Sequence, residues 1–111
     1  ISSIAGFRGN PFFPAYAATK AYLLNYSESL RIKSKKEKCG IIVTDLRAGF
    51  VKTGHVDPSK MFWEISVEHA TRLMLKAILR KKDIAYIRKR WWFIMVIMRL
   101  MPRWLYNRLP F

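Results

Sequence analysis

The chain has 111 residues, 51% of them apolar, and a formal net charge of +14, which suits one core rather than several domains. Its single cysteine, Cys39, excludes an internal disulfide and fits a reducing compartment. His55 and His69 have no second ligand at metal spacing, so no metal site is expected.

Residues 1–4 read as the end of a buried strand, and 5–14, with Gly6, Gly9, Pro11 and Pro14, as a turn-rich loop. A helix is predicted over 15–37, with Leu23, Tyr26 and Leu30 along one side and Gly40 as its stop. Cys39, beside Gly40 and just before an apolar run, is expected to be a small buried residue. Ile41, Ile42 and Val43 suit a parallel strand covered on both faces. Residues 48–53 form a loop, and 55–65 an irregular segment containing Pro58 and the trio Met61, Phe62 and Trp63. Ser66 is a good N-cap, with Glu68 in the first turn, for an amphipathic helix ending near Arg80. Residues 83–87 are the last predicted strand, and a basic, aromatic tail closes the chain.

Chemistry concentrates in Tyr16-Ala17-Ala18-Thr19-Lys20, with Ser3 upstream. Residues four apart on a helix are neighbours on one face, which sets an ammonium beside a phenol. A nearby cation favours phenolate over phenol, as a proton donor to a carbonyl oxygen or a base for an alcohol requires. A Tyr-x-x-x-Lys pair alone is a weak signal; its surroundings make it specific.

Three stretches, in order, resemble the short-chain dehydrogenase/reductase family. Residues 1–6 are similar to the end of the family's fifth strand, whose second serine is catalytic. Residues 16–21 are similar to its Tyr-x-Ala-Ser-Lys helix start, at the expected distance from Ser3. Residues 41–53 are similar to the sixth strand and the Pro-Gly-x-Val-x-Thr cofactor loop. The resemblance covers roughly residues 1 to 90. Ala48 stands where the family usually has proline, which costs the loop about 0.4–1 kcal/mol of rigidity.

The resemblance implies an α/β fold: the carboxy-terminal half of a Rossmann-like, doubly wound parallel sheet over residues 1–90, with 91–111 as an appended basic, aromatic helix. It also implies an oxidoreductase that moves a hydride between NAD or NADP and a small-molecule carbonyl or alcohol. Tyr16 is then the proton donor or acceptor. Lys20 tunes Tyr16 and holds the nicotinamide ribose, and Ser3 holds the substrate oxygen. Backbone groups near Ala48, Gly49 and Val51 meet the carboxamide, and Thr53 the carboxamide or pyrophosphate. Gly49 is expected to let the backbone approach the cofactor. Ser3 has a plainer reading, a strand-end serine bonded to its own loop, and Thr53 has one as a turn cap. Met61, Phe62 and Trp63 fall in the substrate-covering region, where a Met and aromatic cluster fits an apolar substrate; packing on the core is the equal alternative.

The Gly-rich pyrophosphate turn, the ribose selector and the family's catalytic asparagine have no counterpart here. The chain is therefore expected to be a piece of a longer enzyme, inactive alone because the pyrophosphate lacks its helix N-terminus. Half a sheet also leaves an edge that invites association. By family analogy the whole enzyme is a homodimer or homotetramer, in the cytoplasm or peripheral at a membrane. An alternative is a non-enzymatic module, derived from such an enzyme, that binds a membrane surface or a partner.

The charge is uneven. From Arg80 to Phe111 nine Lys/Arg face one Asp, a net +8. The apolar run Trp91–Met98 has eight residues, far short of the ~20 that a spanning helix needs. Tryptophans with flanking arginines over residues 88–108 fit a helix lying in a membrane interface. The same face would serve equally to cap the rest of the enzyme or a second subunit. Nucleic acid is not expected as a partner, because the basic residues bracket a solid apolar run instead of alternating with aromatics.

Overall fold

Pro14 opens the longest helix, where a missing N–H costs nothing and a fixed φ is already helical. The computed structural model describes residues 1–52 and 63–110. In chain order these hold β1 (Ser2–Ser3), a 3-10 turn (Ile4–Phe7), α1 (Pro14–Glu37), β2 (Asp45–Ala48), α2 (Val67–Leu79), β3 (Ile84–Tyr86), α3 (Arg90–Leu100) and α4 (Arg103–Tyr106).

Helix α1 ends where Lys38 turns left-handed (φ 51°) and its N–H bonds the Ser34 carbonyl. The stop is thus Lys38 itself, two residues before Gly40. The inward face also differs from expectation. Ala17, Arg31 and Ser34 are buried, whereas Tyr26 and Leu30 are exposed. Two of these are drawn inward by hydrogen bonds: Arg31 donates to the Asp83 carbonyl at 2.9 Å and the Ser34 hydroxyl donates to the Ile41 carbonyl. At its first turns α1 also crosses the 3-10 turn closely: a Cβ on Gly6 would lie 2.6 Å from the Lys20 carbonyl carbon and 2.7 Å from both the Ala21 nitrogen and Leu24 Cδ1.

The three strands form a parallel sheet in the order β1-β2-β3. Ser3 pairs with Ala48, and Arg47 with both Ser2 and Tyr86. Parallel neighbours need long crossovers, and α1 and α2 lie in those two connections. Side chains alternate across the sheet. One face sends Leu46 and Ile87 into a core with Ile65, Ala70 and Ala77, and with Ala48, Leu73 and Ala85 packed against it. Helix α2 supplies the other wall, capped as expected by the Ser66 hydroxyl, which accepts from the His69 N–H at 3.2 Å. The α/β class and parallel sheet match the expectation.

The ladder of β2, however, starts at Asp45, whose N–H bonds the Asp83 carbonyl at 3.0 Å. Ile41, Ile42 and Val43 precede it outside any strand, and Ile41 is 66% exposed. With Ser2 opposite Arg47, these three residues lie outside the pairing of β1 with β2. Cys39 is also exposed, not buried. Its thiol lies 3.3 Å from the Ser34 hydroxyl, and that contact, followed by the Ile41 backbone, lowers its pKa from the ordinary thiol value.

Candidate active site

Parallel strands end on one side of a sheet, and ligands of open α/β sheets sit at those carboxyl ends. Here the ends of β1 and β2 lie side by side, joined by the Ser3–Ala48 pairing. Tyr16 and Lys20 stand on the opening turns of α1, which contacts both β1 and the 3-10 turn. The Lys20 ammonium lies 5.6 Å from the centre of the Tyr16 ring and donates to the Ile1 carbonyl at 3.3 Å. Tyr16 is half exposed.

Ser3 is buried, and its hydroxyl is doubly engaged. It donates to the Ala48 carbonyl at 3.2 Å and accepts from the Ala5 N–H at 3.2 Å, capping the 3-10 turn. This is the strand-end arrangement foreseen as the plainer reading. It also ties β1 to the start of the loop after β2. In that loop Phe50 and Lys52 pair with Ile65: the Ile65 N–H bonds the Phe50 carbonyl at 3.1 Å, and the Lys52 N–H bonds the Ile65 carbonyl at 2.9 Å. Val51's own N–H and C=O take no part in this bridge. Thr53, Met61 and Phe62 lie outside the described residues.

The neighbour of Gly49 is a side chain that the sequence assigned to the tail. A Cβ on Gly49 would meet the Trp91 indole at 2.2 Å. Trp91, the second residue of α3, is 3% exposed. Phe50 and Trp63 each pack edge-on against it, with ring centres 5.9 Å away. Arg90 stacks over Trp63 at 4.8 Å. The Trp91 Nε1–H is buried with no hydrogen-bond acceptor among the described residues. Of the three expected substrate-covering residues, Trp63 thus stands beside the Gly49 loop, on a wall built jointly with α3.

Two further groups escaped the sequence reading. On the sheet face opposite the α2 core, Ser2 bonds Asp45, and Asp45 pairs with Arg47 at 2.7 Å. Arg47 also bonds the Tyr86 hydroxyl at 2.6 Å and stacks over Phe7 and Tyr86. An acid and a base two apart in a strand share a face, and that spacing was the available signal. Arg8, in the turn-rich loop, reaches the tail. Its Nε donates to the Met98 carbonyl at 2.8 Å, and a second nitrogen donates to Met101. From the tail side, the Tyr106 hydroxyl donates to the Gly9 carbonyl at 2.7 Å.

A sequence profile of the short chain dehydrogenase family matches residues 1–61, more than half of the chain. The chain belongs to this family. It is 34% identical over 67 residues to the bovine (Bos taurus) protein "Dehydrogenase/reductase SDR family member 7C", a match covering 60% of the chain and 21% of that relative. It is 38% identical over 82 residues to an "Uncharacterized oxidoreductase" of Myxococcus xanthus (strain DK1622), covering 72% of the chain and 32% of that relative. The chain thus spans between about a fifth and a third of the curated relatives it matches.

The polar groups at the strand ends suit one end of a nicotinamide nucleotide. Lys20 and Tyr16 are open to solvent at the strand ends, and the Val51 backbone groups are outside the bridge. The pyrophosphate has no such cradle among the described residues. Gly49 leaves no spare space on its Cβ side, because Trp91 fills it.

Proposed function

We propose that the protein carrying this chain is an NAD(P)-dependent oxidoreductase acting on the carbonyl or alcohol group of a lipophilic small molecule. The observation that carries the proposal is the Lys20 ammonium beside the Tyr16 ring at the opening of α1, 5.6 Å from its centre. When bound, the nicotinamide gives or takes the hydride at the substrate carbon. Tyr16 gives its hydroxyl proton to the substrate oxygen as the carbonyl is reduced, and takes it back in the reverse direction. Lys20 exchanges its Ile1 contact for the ribose hydroxyls. The Val51 backbone groups receive the carboxamide.

Ser3 acts first as a brace, holding Ala48 and so the loop that carries Gly49 and Val51. Its substrate-binding role requires the hydroxyl to turn away from Ala48. The aromatic wall of Phe50, Trp63 and Trp91 favours an apolar substrate, because such side chains give up water readily. The exposed Tyr22–Tyr26 stack on α1, with ring centres 5.5 Å apart, supports self-association through that helix.

The test uses the complete natural protein carrying these residues, with NADH and NADPH against short polar and long apolar ketones, beside Tyr16→Phe and Lys20→Met. Long ketones should turn over faster. Tyr16→Phe should lower kcat by roughly 10²–10⁴-fold, the range for a lost general acid, with little change in cofactor KM. Lys20→Met should raise cofactor KM as well. Turnover that survives Tyr16→Phe would remove the catalytic reading and leave a non-enzymatic relative. Faster turnover of small polar ketones would remove the lipophilic one alone.

A further inference from the structure

Helix α3 is apolar on two opposite sides, and the described residues cover only one. Trp91 and Met95 are buried against the protein, and Arg8 clamps the carbonyls of Met98 and Met101 at its end. On the far side Phe93, Ile97 and Leu100 recur at helical spacing, 63%, 59% and 77% exposed. Trp104 continues the exposed surface on α4, beyond the break at Pro102, and Trp92 flanks its start.

The charged residues along this segment are all cationic. Arg88, Lys89, Arg90, Arg99, Arg103 and Arg108 lie along the segment, and no acidic residue follows Asp83. Next to it a groove of about 790 Å³ runs between α2, β3 and α3, with Trp92 and Phe93 at its lip and Lys76, Arg80 and Lys82 among its walls. No helix among the described residues is long and apolar enough to cross a membrane. A helix with an exposed apolar stripe, tryptophans at both ends and only basic charges along it is matched to the acyl–headgroup boundary of an anionic bilayer.

We propose that α3 and α4 seat this protein on an anionic membrane surface, with Phe93, Ile97, Leu100 and Trp104 entering the acyl boundary and the flanking arginines meeting lipid phosphates. A second copy fits poorly, since docking two such faces would bring both sets of cations together without a carboxylate between them. Nucleic acid fits poorly too, since aliphatic Ile97 and Leu100 offer no stacking plane at the centre of the face. The proposal does not depend on the catalytic reading, because none of these side chains touches Tyr16 or Lys20 in the contacts described above.

The complete natural protein is sedimented with vesicles of phosphatidylcholine, with and without phosphatidylserine. Each cation near an anionic surface strengthens binding about five-fold, so phosphatidylserine vesicles should bind at least 100-fold more tightly, and ~1 M salt should abolish the preference. A Phe93→Ser, Ile97→Ser, Leu100→Ser variant should lose at least 100-fold of that binding and keep its melting curve. An Arg99→Ser, Arg103→Ser variant should lose the phosphatidylserine preference. Equal binding to both vesicle types, undiminished binding by the serine variant, or its conversion from dimer to monomer in sedimentation equilibrium would overturn the proposal. Salt-sensitive binding to duplex DNA without vesicle binding would overturn it as well.

Discussion

Replacing Gly49 by alanine places a Cβ 2.2 Å from Cε2 and Nε1 of Trp91, and 2.7 Å from Cζ2. These are ring atoms, so no terminal rotation can relieve the overlap. The ring is buried and held edge-on by Phe50 and Trp63, while Phe50 and Lys52 on the glycine side are tied to Ile65. Overpacking a core costs about 1–3 kcal/mol, and with both sides fixed the upper half of that range, about 2–3 kcal/mol, is expected. Trp91→Leu alone should cost less than the ~3–5 kcal/mol of a full aromatic truncation, and should make room for the new methyl group. The two changes are therefore coupled: Gly49→Ala in the Trp91→Leu background should be nearly neutral. Urea unfolding of the four proteins of this cycle, followed by far-ultraviolet circular dichroism, gives the coupling free energy directly. Strict additivity, or a Gly49→Ala cost below ~0.5 kcal/mol, would refute the contact. A stable Gly49→Ala protein that no longer bound NAD(P)H would restore the expectation that this glycine serves the cofactor.

Removing the Arg47 side chain leaves the carboxylate of Asp45, 1% exposed, with only Ser2 for company; Arg47→Ala should cost about 3–5 kcal/mol in urea unfolding, and Arg47→Met with Asp45→Leu much less. Ser66→Ala deletes the cap on the His69 N–H and should cost ~1 kcal/mol in the same measurement. The Asp83 carboxyl is held below its ordinary 3.8 by the Lys35 ammonium bonded to it. A lowered folded value means that the pair stabilises the fold above that ordinary value and ceases to do so as the pH falls through the lower one. Lys35→Met should therefore flatten the acid limb of the stability profile below about pH 5, by a small amount because both groups are exposed.

The pair Tyr16 and Lys20 was legible because it is a local pattern on one helix face, fixed by residue spacing alone. So was the Ser66 cap, which depends on a few consecutive residues. The sheet's polar face was not, since the Ser2–Asp45–Arg47–Tyr86 chain joins three strands whose register no single segment encodes. Helix α1 misled for a related reason. The stripe of Leu23, Tyr26 and Leu30 is real, but the buried side is the one whose Arg31 and Ser34 bond distant backbone carbonyls. Trp91 belongs to both regions at once: its sequence neighbours are those of the tail, while its ring completes the wall beside Gly49. A boundary at residue 90, drawn where the family resemblance ends, could not see that contact.

The most direct measurement is the fate of a label. The complete protein is given NADH or NADPH carrying deuterium at C4 of the nicotinamide, with a long-chain ketone, and the alcohol product is examined by mass spectrometry and NMR. The account predicts deuterium on the carbinol carbon, delivered roughly 10²–10⁴-fold more slowly by Tyr16→Phe. Product without the label, or a Tyr16→Phe protein that transfers it as fast as the natural one, would contradict it.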